Sequence, residues 1–155
     1  MKPIPPLLLT CDPGARGCGV ALFHHGALVR AEYVAYKHTR DVMPTGAAAW
    51  VEMAMLVKSW ACVVVLQEVP DTPLQLPPGY AVILVEDMKV YAGSKSKGDP
   101  SALLHLSAVG GGVACLFASM GWTPESVKAS EWNGQVPREI RQARTEAWLE
   151  KRGES

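Results

Sequence analysis

The sequence has no excess of charge in either direction, no uninterrupted apolar run of membrane-spanning length and no closely spaced cysteine pair. Its 15 basic and 15 acidic residues cancel, so any grip on phosphate must come from local basic clusters rather than from a uniformly basic surface. No apolar run approaches the roughly 20 residues that cross a bilayer, and residues 2–10 are too few, and too soon followed by Asp12, for a signal peptide. The expectation is a cytoplasmic protein with no membrane partner. Cys11, Cys18, Cys62 and Cys115 lie in apolar or glycine-rich surroundings without zinc-finger spacing, which makes them reduced, packed thiols. His24, His25, His38 and His105 form no ligand motif. The first two read as a hairpin turn, and His105, on an otherwise apolar segment, as a partly buried hydrogen-bonded residue. The glycines after Asp12 lack both the Lys-Ser/Thr of a phosphate-binding loop and the Gly-x-Gly-x-x-Gly spacing of a dinucleotide site, so no nucleotide cofactor is expected. Nor is there a repeat, a low-complexity tract or a linker. A chain of 155 residues with 48% hydrophobic and 19% charged content suits one globular domain over residues 1–155, large enough to bury roughly two-thirds of its unfolded surface.

What is present is concentrated in two stretches. Leu8-Leu9-Thr10-Cys11-Asp12-Pro13-Gly14-Ala15-Arg16-Gly17-Cys18-Gly19-Val20 and Ala81-Val82-Ile83-Leu84-Val85-Glu86-Asp87-Met88 each contain a buried-type apolar run that delivers a carboxylate at its carboxyl end. Gly14, Gly17 and Gly19 allow a tight reversal beside the first acid. Acids so placed supply the hard oxygen ligands that magnesium requires. Two such ions about 3.5–4 Å apart can activate water and neutralise the leaving oxygen in phosphodiester hydrolysis. Asp12 is the first candidate. Glu86 and Glu68 compete for second, because Val63-Val64-Val65-Leu66-Gln67-Glu68 also ends an apolar run in an acid; Glu68 otherwise reads as a solvated helix end. Asp87, next to Glu86, falls on the opposite face of a continuing strand.

The patterning predicts a hairpin of strands over 17–23 and 28–36 around His24-His25-Gly26, a helix over 47–60, a strand over 80–85 and a helix over about 101–120. Asp99-Pro100 marks the start of that last helix. Residues 61–69 are ambiguous between a strand and a continuation of the preceding helix. Gly110-Gly111-Gly112 costs the later helix roughly 1 kcal/mol per residue and is best explained by close packing against the sheet. A short strand near Val127 and a helix over about 138–151, preceded by Pro137, complete the chain.

With these elements in place, the chain resembles the RuvC-type Holliday junction resolvases of the RNase H-like superfamily, in which the first strand ends in Asp-Pro-Gly before a glycine-rich second strand. The resemblance is nearest to the bacteriophage branch. It rests on Asp12-Pro13-Gly14, then Glu86-Asp87-Met88-Lys89-Val90-Tyr91, Lys97-Gly98-Asp99-Pro100 and Trp132-Asn133-Gly134-Gln135-Val136-Pro137, in that order over residues 7 to about 150. It implies an α/β fold with a mixed five-stranded sheet, three antiparallel strands followed by parallel ones, flanked by helices. It also implies a magnesium-dependent crossover junction endodeoxyribonuclease, with manganese as substitute, that acts on branched DNA as a homodimer. The context after Glu86 favours Glu86 over Glu68 as the second acid beside Asp12, and both as metal ligands. Lys89, Lys95, Lys97, Arg138 and Arg141 are the expected DNA-binding residues. Arg138 stands where the family carries Lys after Val-Pro, and Asn133 replaces a frequent Lys. Trp132 reads first as a packing anchor and second as a base-stacking side chain.

One departure bears on catalysis. RuvC-like resolvases finish with a helix carrying two further acids, usually Asp-x-x-Asp, and no such pair follows Pro137. Glu139, Glu146 and Glu150 fall along one stripe of a helix over 138–151, where they form either a solvated face or a substitute ligand set with Glu146 best placed. The alternatives to a junction resolvase are a catalytically impaired RNase H-like domain that binds DNA or a protein, and a superfamily nuclease acting on RNA·DNA hybrids or in DNA packaging.

Overall fold

The computed structural model describes residues 4–14, 16–36, 46–87 and 100–128. In chain order these form β1 (Leu7–Pro13), β2 (Gly17–His24), β3 (Ala27–Ala35), α1 (Gly46–Glu68), β4 (Ala81–Asp87), α2 (Pro100–Ser119) and β5 (Thr123–Lys128). The five strands make one sheet in the order β3-β2-β1-β4-β5. β1 pairs antiparallel with β2, and β2 with β3, whereas β4 runs parallel to both β1 and β5. This is the mixed sheet expected from the sequence.

The β2–β3 hairpin closes on His25 and Gly26, whose φ angles of 48° and 80° suit a tight two-residue hairpin turn. The His25 amide donates to Pro6 O at 2.8 Å, which ties the turn to the entrance of β1. Pairing begins as His24 with Ala27 and Phe23 with Leu28, then slips to Leu22 with Arg30. Val29 is the extra residue of this β-bulge, and every residue of β3 beyond it faces the side that an unbroken hairpin would have reversed.

Strict alternation builds the core. Leu7, Leu9 and Cys11 of β1, Cys18, Val20 and Leu22 of β2, and Ala81, Ile83 and Val85 of β4 are buried on one face. Both helices cover that face. α1 buries Ala49, Met53, Ala54, Val57, Ala61 and Val64, and α2 buries Val109, Val113 and Phe117 at four-residue spacing. Each larger side chain so removed from water contributes about 1.5–3 kcal/mol. Trp122 caps the cluster edge-on to Phe117, with ring centroids 5.2 Å apart at 88°.

The ambiguous segment 61–69 is helical up to Glu68. Ala61 and Val64 continue the stripe set by Val57, and burial on the sheet outweighs the β-preference of Val63-Val64-Val65. The resulting helix of 23 residues contains an 18-residue window with a mean hydropathy of 1.7 and is long and apolar enough by composition to cross a bilayer. Glu52 and Lys58 interrupt the apolar run, and the inner stripe of the helix packs on the sheet, while Val51, Met55, Val63 and Leu66 on its outer side are exposed.

The glycine triplet of α2 divides by position. A Cβ on Gly110 would stand 3.0 Å from Val85 Cγ1 and 3.4 Å from Pro13 Cγ, so this residue does pack against the sheet. One on Gly112 would face α1, 3.8 Å from Trp50 O, and one on Gly111 would meet nothing within 4 Å.

Candidate active site

Asp12 is the penultimate residue of β1. Because Cys11 and Pro13 turn into the core, alternation sends the Asp12 side chain to the face opposite the helices, where it is exposed. β4 repeats the arrangement. Ala81, Ile83 and Val85 are buried, and Glu86 falls on the opposite face, half-buried. The parallel register pairs Leu7 with Ala81 through to Cys11 with Val85, so one further step brings Asp12 level with Glu86 on a strand about 4.8 Å away.

The antiparallel side extends the same row. Asp12 is paired with Gly19, Gly19 with Tyr33, and on the far side Glu86 with Val127. Tyr33, Gly19, Asp12, Glu86 and Val127 therefore cross the sheet side by side near the carboxyl ends of β1 and β4. One pleat below Asp12, the buried hydroxyl of Thr10 donates to Ala21 O at 3.4 Å. Beyond Asp12 the chain reverses tightly, with the Gly14 amide donating to Gly17 O at 2.8 Å and the Tyr36 amide to Arg16 O at 3.3 Å. Exposed Arg16 stands at this end of the sheet, as does Lys128 at the end of β5.

Beneath Asp12, on the core face, lie Cys11 and Cys18, both free thiols. The hydrogen bond between them, reinforced by burial, pushes the Cys11 thiol well above its ordinary value, while accepting that bond lowers Cys18. These two are packed thiols, as the sequence implied, whereas Cys62 is half-buried and Cys115, on α2, is exposed and departs from that expectation. The Tyr36 phenol donates to Ala49 O at 2.7 Å, and burial is the main cause of its raised pKa. A cleft of about 360 Å³ opens beside Glu86 between α2 and β5, with Ser107, Glu125 and Ser126 on its walls.

The competing acid, Glu68, is excluded from this row by position. It ends α1, the helix that leads through residues 69–80 to the start of β4, and its Oε1 faces Arg30 Nη1 at 3.9 Å on the surface. His24 and His25 occupy the hairpin turn, their rings 4.3 Å apart, with His24 opposite Leu7 at the amino end of β1. His105 accepts a 2.9 Å hydrogen bond at Nδ1 from Trp50 Nε1 and is half-buried. That is the structural role expected for it. Glu146, Lys89, Lys95, Lys97, Arg138, Arg141, Trp132 and Asn133 lie outside the described residues.

Among the described residues no three His, Cys, Asp or Glu side chains gather into a set that could hold a metal ion by themselves. The donor set present is two carboxylates, one exposed and one half-buried, with no side chain at Gly19 to crowd them. That chemistry suits magnesium, which is usually held by one or two carboxylates and keeps water or a phosphate oxygen as its other ligands. Sequence reasoning missed Tyr33 and the role of Gly19, because their place in the row depends on the bulge at Val29.

No protein-family model matches the chain, and no curated protein matches it in sequence. Solved structures do. RuvC of Thermus thermophilus in complex with a Holliday junction substrate superposes with a TM-score of 0.50 at 13% identity, over 79% of this chain and 64% of the other. A second structure of Thermus thermophilus RuvC aligns at 0.48 and 14% identity, over 86% of this chain and 74% of that one. The yeast mitochondrial Holliday junction resolvase aligns at 0.46 and 11%, over 86% and 61%. This chain thus spans less than two-thirds of the length of the junction-bound RuvC. Strand order, the helices between the strands and the superposition agree, and the chain has the RNase H-like fold of the RuvC type.

Proposed function

We propose that this protein is a divalent-metal-dependent endonuclease that cuts branched DNA such as four-way junctions, working as a homodimer that sets two sites against a two-fold substrate. One observation carries the reading: Asp12 and Glu86, from segments of sequence far apart, stand level on one face at the carboxyl ends of adjacent parallel strands. The RuvC-type fold and the phage-like motifs around Glu86 support it. A net charge of zero fits recognition through a confined path of phosphate contacts, for which Arg16 and the sequence-predicted Lys89, Lys95, Lys97, Arg138 and Arg141 are the candidates.

In the mechanism, the carboxylates of Asp12 and Glu86 would hold the divalent cation, and Glu146 is the candidate third acid. The bound cation would supply charge neutralisation at the scissile phosphate and lower the pKa of water. Asp12, the more exposed acid, is open to solvent and can accept a hydrogen bond from the attacking water, which orients it. Gly19 keeps the neighbouring strand clear of the approaching DNA backbone.

The test is cleavage of a labelled four-way junction, a linear duplex and an RNA·DNA hybrid, each with and without magnesium. Magnesium-dependent cutting confined to the junction is expected, with Asp12→Asn and Glu86→Gln each abolishing it and leaving junction binding within a few-fold. Cutting of the hybrid instead would assign a different nuclease, and junction binding without cutting would assign a binding domain.

A further inference from the structure

Tyr33 belongs to the row of Asp12 and Glu86 and is the one large hydrophobic residue of β3 that is exposed. It is 60% exposed, whereas Glu32 and Arg30 beside it turn to the helix face, where Glu32 accepts from Trp60 Nε1 at 2.7 Å and Arg30 approaches Glu68. The ring has been given its place by missing side chains. A Cβ on Gly17 would come within 2.9 Å of Tyr33 Cζ, and one on Gly14 within 3.7 Å of its hydroxyl oxygen. With Gly19 directly between Tyr33 and Asp12, the phenol lies over Gly14 and Gly17, which flank the turn that follows the acid.

We propose that Tyr33 is a DNA-contacting residue of this site, whose ring bears on an unstacked base next to the phosphate held over Asp12 and Glu86. This rests on the nuclease reading above. Two strand spacings, about 10 Å, separate Tyr33 from Asp12, so the ring meets a neighbouring nucleotide rather than the scissile phosphate. A branch point offers bases whose faces are open, and an exposed aromatic ring is a sequence-tolerant platform for them. A ring serving solely to cover strand glycines would explain the contact with Gly17. It would not require 60% exposure on the face that carries the acids.

The experiment compares the full chain with its Tyr33→Phe and Tyr33→Leu variants in junction binding, cleavage and thermal unfolding. It is combined with photocrosslinking of the Asp12→Asn protein to junctions carrying 5-iodouracil at successive positions around the branch point. Expected are a crosslinked peptide containing Tyr33, binding within two-fold of wild type for Tyr33→Phe, and about ten-fold weaker binding for Tyr33→Leu at an unchanged Tm. Wild-type binding by Tyr33→Leu, or crosslinks elsewhere in the chain with none at Tyr33, would overturn the contact and leave the nuclease reading standing. Failure of the wild-type protein to bind any branched DNA would overturn both.

Discussion

Asp12 and Tyr33 stand level on the same face of the sheet, two strands apart, with only the backbone of Gly19 between them. The gap is a consequence of one residue. A Cβ at Gly19 would lie 3.7 Å from Asp12 Cβ, an ordinary contact, so alanine fits there and most of the cleavage activity should survive Gly19→Ala. Valine would fill the space beside the carboxylate while favouring the strand. Gly19→Val is therefore expected to lower cleavage at least ten-fold without lowering Tm, as read from cleavage rates and thermal unfolding on the same preparations.

The glycines of α2 make opposite stability predictions for adjacent positions. Gly111 has open space where its Cβ would be, and alanine in a helix interior is favoured over glycine by about 1 kcal/mol. Gly111→Ala should raise Tm by about 2–4 °C for a chain of this length. At Gly110 the same methyl would press on Val85 Cγ1 at 3.0 Å and Pro13 Cγ at 3.4 Å. Overpacking of this kind costs about 1–3 kcal/mol, so Gly110→Ala should lower Tm or at best leave it unchanged.

Much of this architecture is legible in the sequence, and the exceptions have physical causes. Asp12 and Glu86 are legible because each ends an apolar run whose alternating members are buried in one core; period-two patterning assigns them to a common face once the strands are neighbours. Tyr33 is not. A two-residue turn at His25-Gly26 without a bulge would pair Gly19 with Glu32, and only the slip at Val29 puts Tyr33 in the row. Residues 61–69 are undecidable locally because the β-branched run Val63-Val64-Val65 prefers a strand, whereas burial of Ala61 and Val64 on the sheet needs a helix. The membrane-like composition of α1 does not form an unbroken apolar run, because Glu52 and Lys58 divide it.

Glu68 is the sharpest test of the choice between acids, since it shares the apolar-run signature of Glu86 and differs in place. It sits at the end of α1 in a surface contact with Arg30 at 3.9 Å, and exposed pairs of this kind contribute at most about 1 kcal/mol. Glu68→Gln should leave cleavage within two-fold of wild type and shift Tm by no more than a few degrees. Loss of cleavage in Glu68→Gln with retention in Glu86→Gln, measured on the same junction, would reverse the assignment.

Cation binding by Asp12 and Glu86 is open to a measurement that needs no substrate. A ligand that binds the native state alone stabilises it by RT ln(1 + [L]/Kd), about 1.4 kcal/mol at ten times Kd, which corresponds to roughly 3–5 °C in Tm for a protein of this size. Magnesium at 10 mM should therefore raise Tm by a few degrees if its Kd is near 1 mM, and manganese should do so at lower concentration, following its greater affinity for oxygen donors. Removing either carboxylate leaves one strong ligand, so Asp12→Asn and Glu86→Gln should each erase the increment, whereas Glu68→Gln should keep it. Glu146→Gln divides the two accounts of the third acid: a reduced increment would place Glu146 at the cation, and an undiminished one would return it to the solvated face of its helix. An increment that persists in Asp12→Asn would show that the cation binds elsewhere and would remove the metal site from the row.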